Sequence, residues 1–385
     1  MHLDPLTLVA LLPLLVWAAL LAARGGFWRT PSLRLPTLPA PSRAYHVAAI
    51  IPARDEAAVI ARSVASLLAG ASPDSLHVYL VDDGSSDGTA DQARAAADSL
   101  GKTSCLTLIP STPPPPGWSG KLWAMQQGIA GTANFRPDYL LLTDADIVHS
   151  APELAALLTL AERDACDLAS LMVRLHCRTV PEKLLIPAFV FFFFSLYPPR
   201  WIAQPRARTA GAAGGCILVR PQALERAGGL AAIRNQIIDD CALARAVKRS
   251  GGKLWLGLAG DALSIRPYGS FAEIGHMIAR TAFNQLQHSL LWLALALLSL
   301  ILAFILPVAV LFTRELAPAA LGTVTLAAMA LAYLPMVRYY RLSPLWALTL
   351  PFAAVFYMGA TLQSAANFWS GAGGRWKGRV QDPSP

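Results

Sequence analysis

The stretch Asp138–His149, DYLLLTDADIVH, runs from an apolar segment into two acids, Asp144 and Asp146, that flank a single alanine. In an extended chain, residues two positions apart point to the same side and lie about 6–7 Å from each other. Two carboxylates so placed repel each other unless a cation lies between them, and oxygen ligands suit Mg²⁺ or Mn²⁺. The alternative is a solvated acidic turn, and the motif alone does not decide between the two.

The sequence before this pair alternates between strand and helix patterns. It predicts four strands, HVAAIIPA, SLHVYLVDDG, CLTLIP and YLLLTDAD, separated by three helices, EAAVIARSVASLLAG, GTADQARAAADSLG and GKLWAMQQGIAG. Alternation of this kind with nearly continuous apolar strands predicts an α/β fold, a mainly parallel sheet flanked by helices. Ligands of such sheets bind at the carboxyl ends of the strands.

Polar residues follow three of these strands, which predicts a ligand site at one edge of the sheet. In VDDGSSDGT (Val81–Thr89), an aspartate can accept hydrogen bonds from a nucleobase or a ribose, although plain turns favour the same residues. For PARDEAAVI (Pro52–Ile60), the alternative is a turn with acids at a helix N-terminus. The candidate nucleotide-binding residues at these two strand ends are Pro52, Ala53, Arg54, Glu56, Asp82, Asp83 and Ser85.

Two further segments carry charged residues at predicted helix starts. In PPPPGWSGKLWAMQQG (Pro113–Gly128), Lys121 and the first N–H groups of a helix would bind an anion such as a diphosphate. A solvated lysine in a surface loop is the alternative. In IIDDCALARAVKRSGG (Ile237–Gly252), N-capping explains one of the acids Asp239 and Asp240. The other acid, close to a metal site, could act as a general base.

The composition indicates membrane segments, since 55% hydrophobic and 15% charged residues are too apolar for an ordinary soluble protein. Uncharged runs of about 20 residues can cross a bilayer. Four runs qualify: Leu6–Ala23, Ser289–Phe312, Leu316–Val337 and Pro344–Phe368. A further apolar stretch, Leu184–Trp201, is too short for a confident span. Its aromatic residues predict an element at the lipid boundary, with a buried core helix as the alternative.

Charge and cysteine usage predict the orientation. Four arginines follow the first run, so the segment after it is expected in the cytoplasm. The five cysteines show no metal-binding spacing, which is typical of unpaired thiols in a reducing compartment. The net charge of +8 is scattered beside the membrane segments and suits lipid headgroups and phosphates, and no nucleic-acid-binding motif is visible. We therefore expect a multi-pass protein of the cell inner membrane with a cytoplasmic catalytic domain.

These patterns divide the chain into five parts. We expect an N-terminal transmembrane anchor at 1–24, a Pro-rich linker at 25–44 and an α/β domain at 45–288, with an interfacial insertion around 184–201. Three C-terminal hydrophobic segments at 289–370 and a tail at 371–385 follow. The last segment carries Gln363, Ser364 and Asn367, which are costly in lipid unless they face protein or water. We expect this polar end to pack against neighbouring segments.

The order of the motifs resembles that of the family 2 glycosyltransferases, inverting enzymes with the Rossmann-like GT-A fold, from Val47 to Leu286. Asp82–Thr89 resembles the family's nucleotide-binding DDxSxDxT motif, and Asp144–Asp146 resembles its metal-binding DxD motif. Asp239–Asp240 occupies the place of a Glu-Asp pair whose second acid is the catalytic base. PPPPGWSGKLWA, the Phe-rich insertion, RPYGSF and the three C-terminal spans are similar to the hopene-associated glycosyltransferases (HpnB type) and to carotenoid glycosyltransferases.

The resemblance implies transfer of a sugar from a nucleotide-diphosphate sugar to a membrane lipid, such as a hopanoid or another isoprenoid. It assigns Mg²⁺ or Mn²⁺ to Asp146, and places Asp144 on the metal or on the ribose of the nucleotide sugar. It assigns the catalytic positions to Asp240 and Asp239. Lys121 and Arg280 would contact the diphosphate. Processive members carry QxxRW, whereas here Arg280 is followed by threonine, which favours a single transfer.

Two other functions stay open at this point. A polyprenyl-phosphate sugar synthase would share every donor motif and differ only in attacking through a phosphate. A non-catalytic membrane scaffold with the same fold would need none of the acids.

Overall fold

The computed structural model describes residues 4–41, 43–72 and 74–371, and the backbone of 375–376 and 379–380. These residues form two compact units. The sheet unit comprises the described residues of Leu33–His176 and Trp201–Arg266. The helical unit comprises those of Met1–Ser32, Cys177–Arg200 and Pro267–Arg375. The five-part division stays a prediction, and most of the predicted tail lies outside the described residues.

The sheet unit is built around a mixed eight-stranded sheet. Its strands are β1 (Val47–Ala53), β2 (Leu76–Asp82), β3 (Leu106–Pro110), β4 (Tyr139–Leu142), β5 (Ile147–Val148), β6 (Leu168–Arg174), β7 (Ile217–Val219) and β8 (Leu254–Ser264). Their order is β3-β2-β1-β4-β7-β6-β8-β5. The neighbours among β1 to β4 pair in parallel, whereas β7 is antiparallel to β4 and β6, and β5 is antiparallel to β8. The predicted α/β class is confirmed.

The strand predicted to end at Asp146 is shorter than expected. β4 ends at Leu142, and Asp144–Ile147 form a turn in which the Ile147 N–H donates to the Asp144 carbonyl at 3.3 Å. The chain turns because β5 must pair in the antiparallel sense with the end of β8. The prediction that the two acids lie along an extended chain is therefore wrong. They lie in a turn at the carboxyl edge of β4.

Helices flank the sheet. Those of the sheet unit are Ala57–Leu68, Thr89–Ser99, Gly120–Ala130, Ala151–Arg163, Pro221–Arg226 and Asp239–Arg249, with 3₁₀ turns at Thr103–Cys105 and Leu230–Ile233. Ser119 caps the third helix by accepting the Leu122 N–H. A Cβ atom at Gly128 of this helix would lie 2.6 Å from Ile50 Cγ2. Glycine therefore allows the helix to lie directly against β1.

The helical unit contains long apolar helices. The helices and turns are Pro5–Ala23, Val180–Leu196, Phe271–Ala279, Ala282–Gln285, Leu290–Leu300, Ile301–Ile305, Leu306–Ala309, Val310–Phe312, Leu316–Tyr339, Pro344–Thr349 and Leu350–Trp369, and the short helices Thr30–Leu33 and Pro199–Ile202 lie at the unit boundaries. Among the described residues, five stretches are long and apolar enough to cross a membrane: Pro5–Ala23, Val180–Ile202, Leu290–Phe312, Leu316–Tyr339 and Pro344–Trp369. These stretches suggest membrane association. The stretch Val180–Ile202 is longer than the segment Leu184–Trp201 that the sequence indicated.

The Phe-rich helix Val180–Leu196 packs inside the helical unit. It begins with a capping box, in which Thr179 and Glu182 satisfy each other's backbone N–H groups. Phe191 and Phe194 are buried, and the Phe191 ring contacts Tyr333 with a centroid distance of 5.2 Å. These two rings are buried, as the alternative of a core helix expects. That the helix lies at the lipid boundary stays a prediction.

The polar end of the last apolar helix is hydrogen-bonded within the unit. The Ser364 hydroxyl oxygen is buried and accepts the Phe283 N–H at 3.0 Å. Gln363 donates to the Asn367 side chain at 2.7 Å. Of these two hydrogen bonds, only that of Ser364 joins this end to another segment, since the Gln363 bond lies within the helix and Gln363 is exposed. Whether the helix spans the bilayer completely stays a prediction.

An irregularity in β8 depends on one buried acid. The register between β6 and β8 shifts between Met172 and Arg174, so that part of β8 leaves the ladder. Glu153 is 8% exposed, and its carboxylate accepts three backbone N–H groups of that part. The donors are Gly260, Asp261 and Ala262.

We therefore predict that Glu153→Ala lowers the free energy of unfolding by roughly 2–3 kcal/mol, because three backbone N–H groups, among them that of the buried Ala262, lose a charged acceptor. Denaturant unfolding of the detergent-solubilised protein measures this loss. Glu225→Ala is the matched control, since Glu225 is exposed on a surface helix. Equal stabilities of the two variants would contradict the assignment.

Candidate active site

A lysine and three acids, contributed by three elements in all, meet at the carboxyl edge of the sheet. The Lys121 Nζ lies 2.8 Å from Asp144 Oδ1 and 3.2 Å from Asp239 Oδ2. Lys121 comes from the start of the helix Gly120–Ala130, and the aspartates come from the turn after β4 and from the helix Asp239–Arg249. Asp240 is the third acid. The structure thus brings together residues that the sequence predicted separately.

The negative charges in this cluster explain how Lys121 can lie at the start of a helix. A cation near a helix N-terminus is disfavoured by the helix dipole. Burial would also lower the pKa of Lys121, but the charges of Asp144 and Asp239 outweigh it, and the pKa is raised above its usual value. Burial raises the pKa of Asp144, with Lys121 opposing and Asp146 adding to the shift. Lys121 therefore stays protonated and is held by the acids around it.

Asp240 is held by backbone donors and has a shifted pKa. Its Oδ2 accepts the Gly214 N–H at 2.9 Å, and its Oδ1 accepts the Cys241 N–H at 2.6 Å. Burial and the charge of Asp239 raise the pKa of Asp240 to about 6. The prediction that N-capping explains one of the two acids is wrong, because Ile238 is the capping residue and no side chain caps this helix.

Asp146 is held by three consecutive residues at the end of β8. The Ser264 hydroxyl donates to Asp146 Oδ2 at 2.7 Å, and the Ile265 N–H donates to the Asp146 carbonyl at 2.9 Å. Arg266 Nε lies 3.4 Å from Asp146 Oδ2, and its Nη2 donates to Glu56. Sequence reasoning assigned no role to Ser264 or Arg266. The only signal was the pattern RPYGSF, whose first residue is Arg266 and which begins two positions after Ser264.

The two predicted nucleotide loops are tied to each other. Ser85 Oγ accepts the Asp55 N–H at 3.0 Å, and Asp87 Oδ2 accepts the Ala57 N–H at 2.9 Å. Thr89 Oγ1 accepts the Glu56 N–H at 2.8 Å. The second half of VDDGSSDGT therefore holds the loop after β1 in place, which is a structural task that the sequence did not reveal.

The remaining predicted nucleotide-binding residues differ in access. Pro52 and Ala53 are buried in β1. Asp83 is 3% exposed and pairs with Arg54, whose Nη1 donates to the Asp83 carbonyl at 2.8 Å. Asp82, the last residue of β2, is partly exposed and accepts the Ser85 N–H at 2.9 Å. Their contacts with a nucleotide stay predictions.

A buried network lies beneath the acidic turn. Thr143 Oγ1 donates to the Gly215 carbonyl at 2.8 Å, so the His149 Nε2–H is assigned as the donor to Thr143 Oγ1, also at 2.8 Å. Burial lowers the pKa of His149 to about 4, so the ring is neutral near pH 7. Both flanks of the turn are thereby fixed. His149 lies in the opening stretch of the sequence analysis, which gave it no role.

The acids of the turn fit a divalent cation. Asp144 and Asp146 offer carboxylate oxygens only, and the charge of Asp146 disfavours ionisation of Asp144. Within the described part of the chain, no group of three or more His, Cys, Asp or Glu residues could hold a metal ion. Mg²⁺ is commonly bound by one or two carboxylates, with phosphates and water completing the shell. Two acids are therefore a sufficient protein contribution.

Arg280 belongs to the helical unit, where it is exposed and follows the helix Phe271–Ala279. Its expected contact with a diphosphate stays a prediction. All five cysteines are free thiols, and four of them are buried.

Comparison with known proteins identifies the class. Residues 43–258, more than half of the chain, match the family model described as "Glycosyltransferase like family 2". The chain belongs to this family and is a glycosyltransferase. No curated protein sequence matches it.

Two solved structures align with parts or most of the chain. The mannosyltransferase PcManGT from Pyrobaculum calidifontis, in complex with GDP-Man and Mn²⁺, aligns with a TM-score of 0.59 and 18% identity over 95% of this chain and 99% of that chain. At this identity the likeness shows a shared fold. Glucosyl-3-phosphoglycerate synthase from Mycobacterium tuberculosis, in complex with Mn²⁺, UDP and glucosyl-3-phosphoglycerate, aligns with a TM-score of 0.42 and 16% identity over 65% of this chain and 86% of that chain.

The buried His149 predicts a pH dependence of stability. The unfolded chain binds a proton at this residue below about pH 6.5, whereas the folded protein does so only near 4. The free energy of unfolding should therefore fall by roughly 2–3 kcal/mol as pH drops through this window. His149→Asn should remove this part of the slope, measured by denaturant unfolding at several pH values. The control His46→Asn changes an exposed histidine and should leave the pH slope of the free energy of unfolding unchanged. An unchanged slope in His149→Asn would contradict a neutral buried ring.

Proposed function

We propose that the protein transfers one sugar from a nucleotide-diphosphate sugar to a hydroxyl group of a membrane lipid, with inversion at the anomeric carbon. The observation that carries this proposal is Asp240. It is oriented by two backbone N–H groups, has a pKa near neutrality and lies beside the ion pair of Lys121 and Asp144. A base and a site for a charged leaving group are thus neighbours.

Asp240 acts as the general base in this proposal. The acceptor oxygen attacks the anomeric carbon, the bond from that carbon to the diphosphate oxygen breaks, and the hydroxyl proton passes to the Asp240 carboxylate. Attack from the side opposite the leaving group inverts the configuration. A pKa of about 6 suits this task, because the group is ionised at pH 7 and still accepts a proton readily. Asp239 keeps Lys121 in place.

The leaving group departs as a nucleoside diphosphate with growing negative charge. A divalent cation, Mg²⁺ or Mn²⁺, held by Asp144 and Asp146 would neutralise that charge. Lys121 adds a second positive charge at the same edge of the sheet. The nucleotide is assigned to Asp82 and Asp83 and to the loop Pro52–Glu56. The GDP-Man and Mn²⁺ of the similar mannosyltransferase support the donor class and the cation.

The proposed acceptor is a lipid, and the proposed location is the inner membrane with the sheet unit in the cytoplasm. Five apolar stretches support attachment to a bilayer. The sequence likeness to hopene-associated and carotenoid glycosyltransferases supports a hopanoid or another isoprenoid alcohol. The replacement of QxxRW supports a single transfer rather than polymer synthesis.

A transfer assay tests the proposal. Protein in lipid is incubated with labelled sugar nucleotides and extracted lipids, and the product is identified by mass spectrometry. We expect one sugar on a lipid hydroxyl. Asp240→Asn should bind the donor unchanged yet lose turnover by a factor on the order of 10² or more. The kcat/KM of the unchanged protein should fall as pH drops below about 6, because the base becomes protonated. Product only on a polyprenyl phosphate would favour the synthase, and lost donor binding in Asp240→Asn would refute its role as base.

Removal of the metal site should abolish transfer without unfolding the protein. We expect Asp146→Ala to lose activity by a factor on the order of 10² or more, because charge on the leaving diphosphate is no longer neutralised. Asp91→Ala is the control, since Asp91 lies on a surface helix and its side chain is 81% exposed. Full activity of Asp146→Ala, or of the unchanged protein in excess EDTA, would contradict the metal assignment.

A further inference from the structure

Arg266 connects the two parts of the site that a sugar nucleotide has to bridge. Its Nη2 donates to Glu56, in the loop after β1 that is assigned to the nucleotide. Its Nε lies 3.4 Å from Asp146 in the turn assigned to the metal. In a nucleotide-diphosphate sugar, the diphosphate is the group that lies between the nucleoside and the metal. Arg266 therefore lies where this group is expected.

The position of Arg266 is well fixed along the chain. It follows β8 directly, and the two residues before it also bind Asp146, through the Ser264 hydroxyl and the Ile265 N–H. Strand β8 pairs with β5, which leaves the acidic turn. The backbone at Arg266 is thus held beside the turn, while its side chain, 35% exposed, is within reach of solvent and a ligand.

The chemistry of the side chain suits a phosphate better than a permanent bond to Asp146. A guanidinium group presents a planar fork of donors that matches phosphate oxygens, and it stays charged at all relevant pH values. The contact with Asp146 is longer than a normal charge-assisted hydrogen bond. A cation on Asp146 would occupy the same oxygens and repel Arg266 towards the neighbouring phosphate.

We propose that Arg266 is a donor-binding residue that transfers its contact from Asp146 to the diphosphate when the nucleotide and the metal bind. This inference rests on the proposed function and adds a residue to it. The sequence pattern assigns the corresponding contact to Arg280, which lies in the helical unit. Arg266 holds the charge of the leaving group and takes no part in proton transfer.

Binding measurements with the full-length protein test the inference. Mn²⁺ alone is titrated and followed by electron paramagnetic resonance, which distinguishes free from bound ion. UDP and GDP are then titrated calorimetrically at saturating Mn²⁺. The variants are Arg266→Gln, Arg266→Lys and the control Arg226→Gln, which removes an arginine from a surface ion pair with Asp167 at 2.6 Å. Thermal melting of each variant shows whether it is folded.

Arg266→Gln should weaken binding of the diphosphate on the order of 10- to 100-fold, the worth of a charge-assisted hydrogen bond. Mn²⁺ alone should bind it as tightly as the unchanged protein or more tightly, because Asp146 loses a competing cation. Arg266→Lys should recover part of the loss, and Arg226→Gln should change neither titration.

Three results would overturn the inference. If Arg266→Gln weakens Mn²⁺ and nucleotide equally, Arg266 only holds Asp146 in place. If it changes neither, Arg266 does not contact the donor. If the unchanged protein binds neither UDP nor GDP, the proposed donor class is wrong as well. The first two results concern Arg266 alone, so the two failures can be told apart.

Discussion

The candidate site depends on the compensation of negative charge at one edge of the sheet. Asp144, Asp239 and Asp240 come from two elements that are far apart in sequence, and the charge of Asp239 disfavours ionisation of both other acids. The Lys121 ammonium lies within ion-pair distance of two of them. Because it stays protonated, the turn after β4 and the start of the helix Asp239–Arg249 can lie side by side.

The protein fixes the acids from several sides, which suits a site that must bind charge without rearranging. Thr143 and His149 hold the acidic turn from within, and the end of β8 holds Asp146 from outside. The nucleotide loops are locked by hydrogen bonds from Ser85, Asp87 and Thr89. Preorganised charges of this kind stabilise a departing diphosphate more effectively than groups that must first be ordered.

Local signals allowed much of this to be predicted. Apolar runs and their spacing predicted β1 to β4 and the helices between them, and the acids at strand ends indicated the edge where the site lies. Pairings between distant segments could not be predicted. The antiparallel strand β7 pairs with β4 and β6. The antiparallel strand β5, the contacts of Ser264 and Arg266 with Asp146, and the turn at Asp144 follow from how β8 meets the rest of the sheet. No local sequence pattern near Arg266 indicates which strands β8 pairs with.

A structure of the protein with Mn²⁺ and a nucleoside diphosphate tests the central claim most directly, since anomalous scattering from manganese locates the ion. The account predicts Mn²⁺ within about 2.0–2.3 Å of an Asp146 carboxylate oxygen, a range typical of hard divalent ions. It places the diphosphate between that ion and the loop after β1, with the Asp240 carboxylate facing the vacant acceptor side. An ion bound by other residues, or a nucleotide away from the carboxyl edge of β1 and β4, would contradict it.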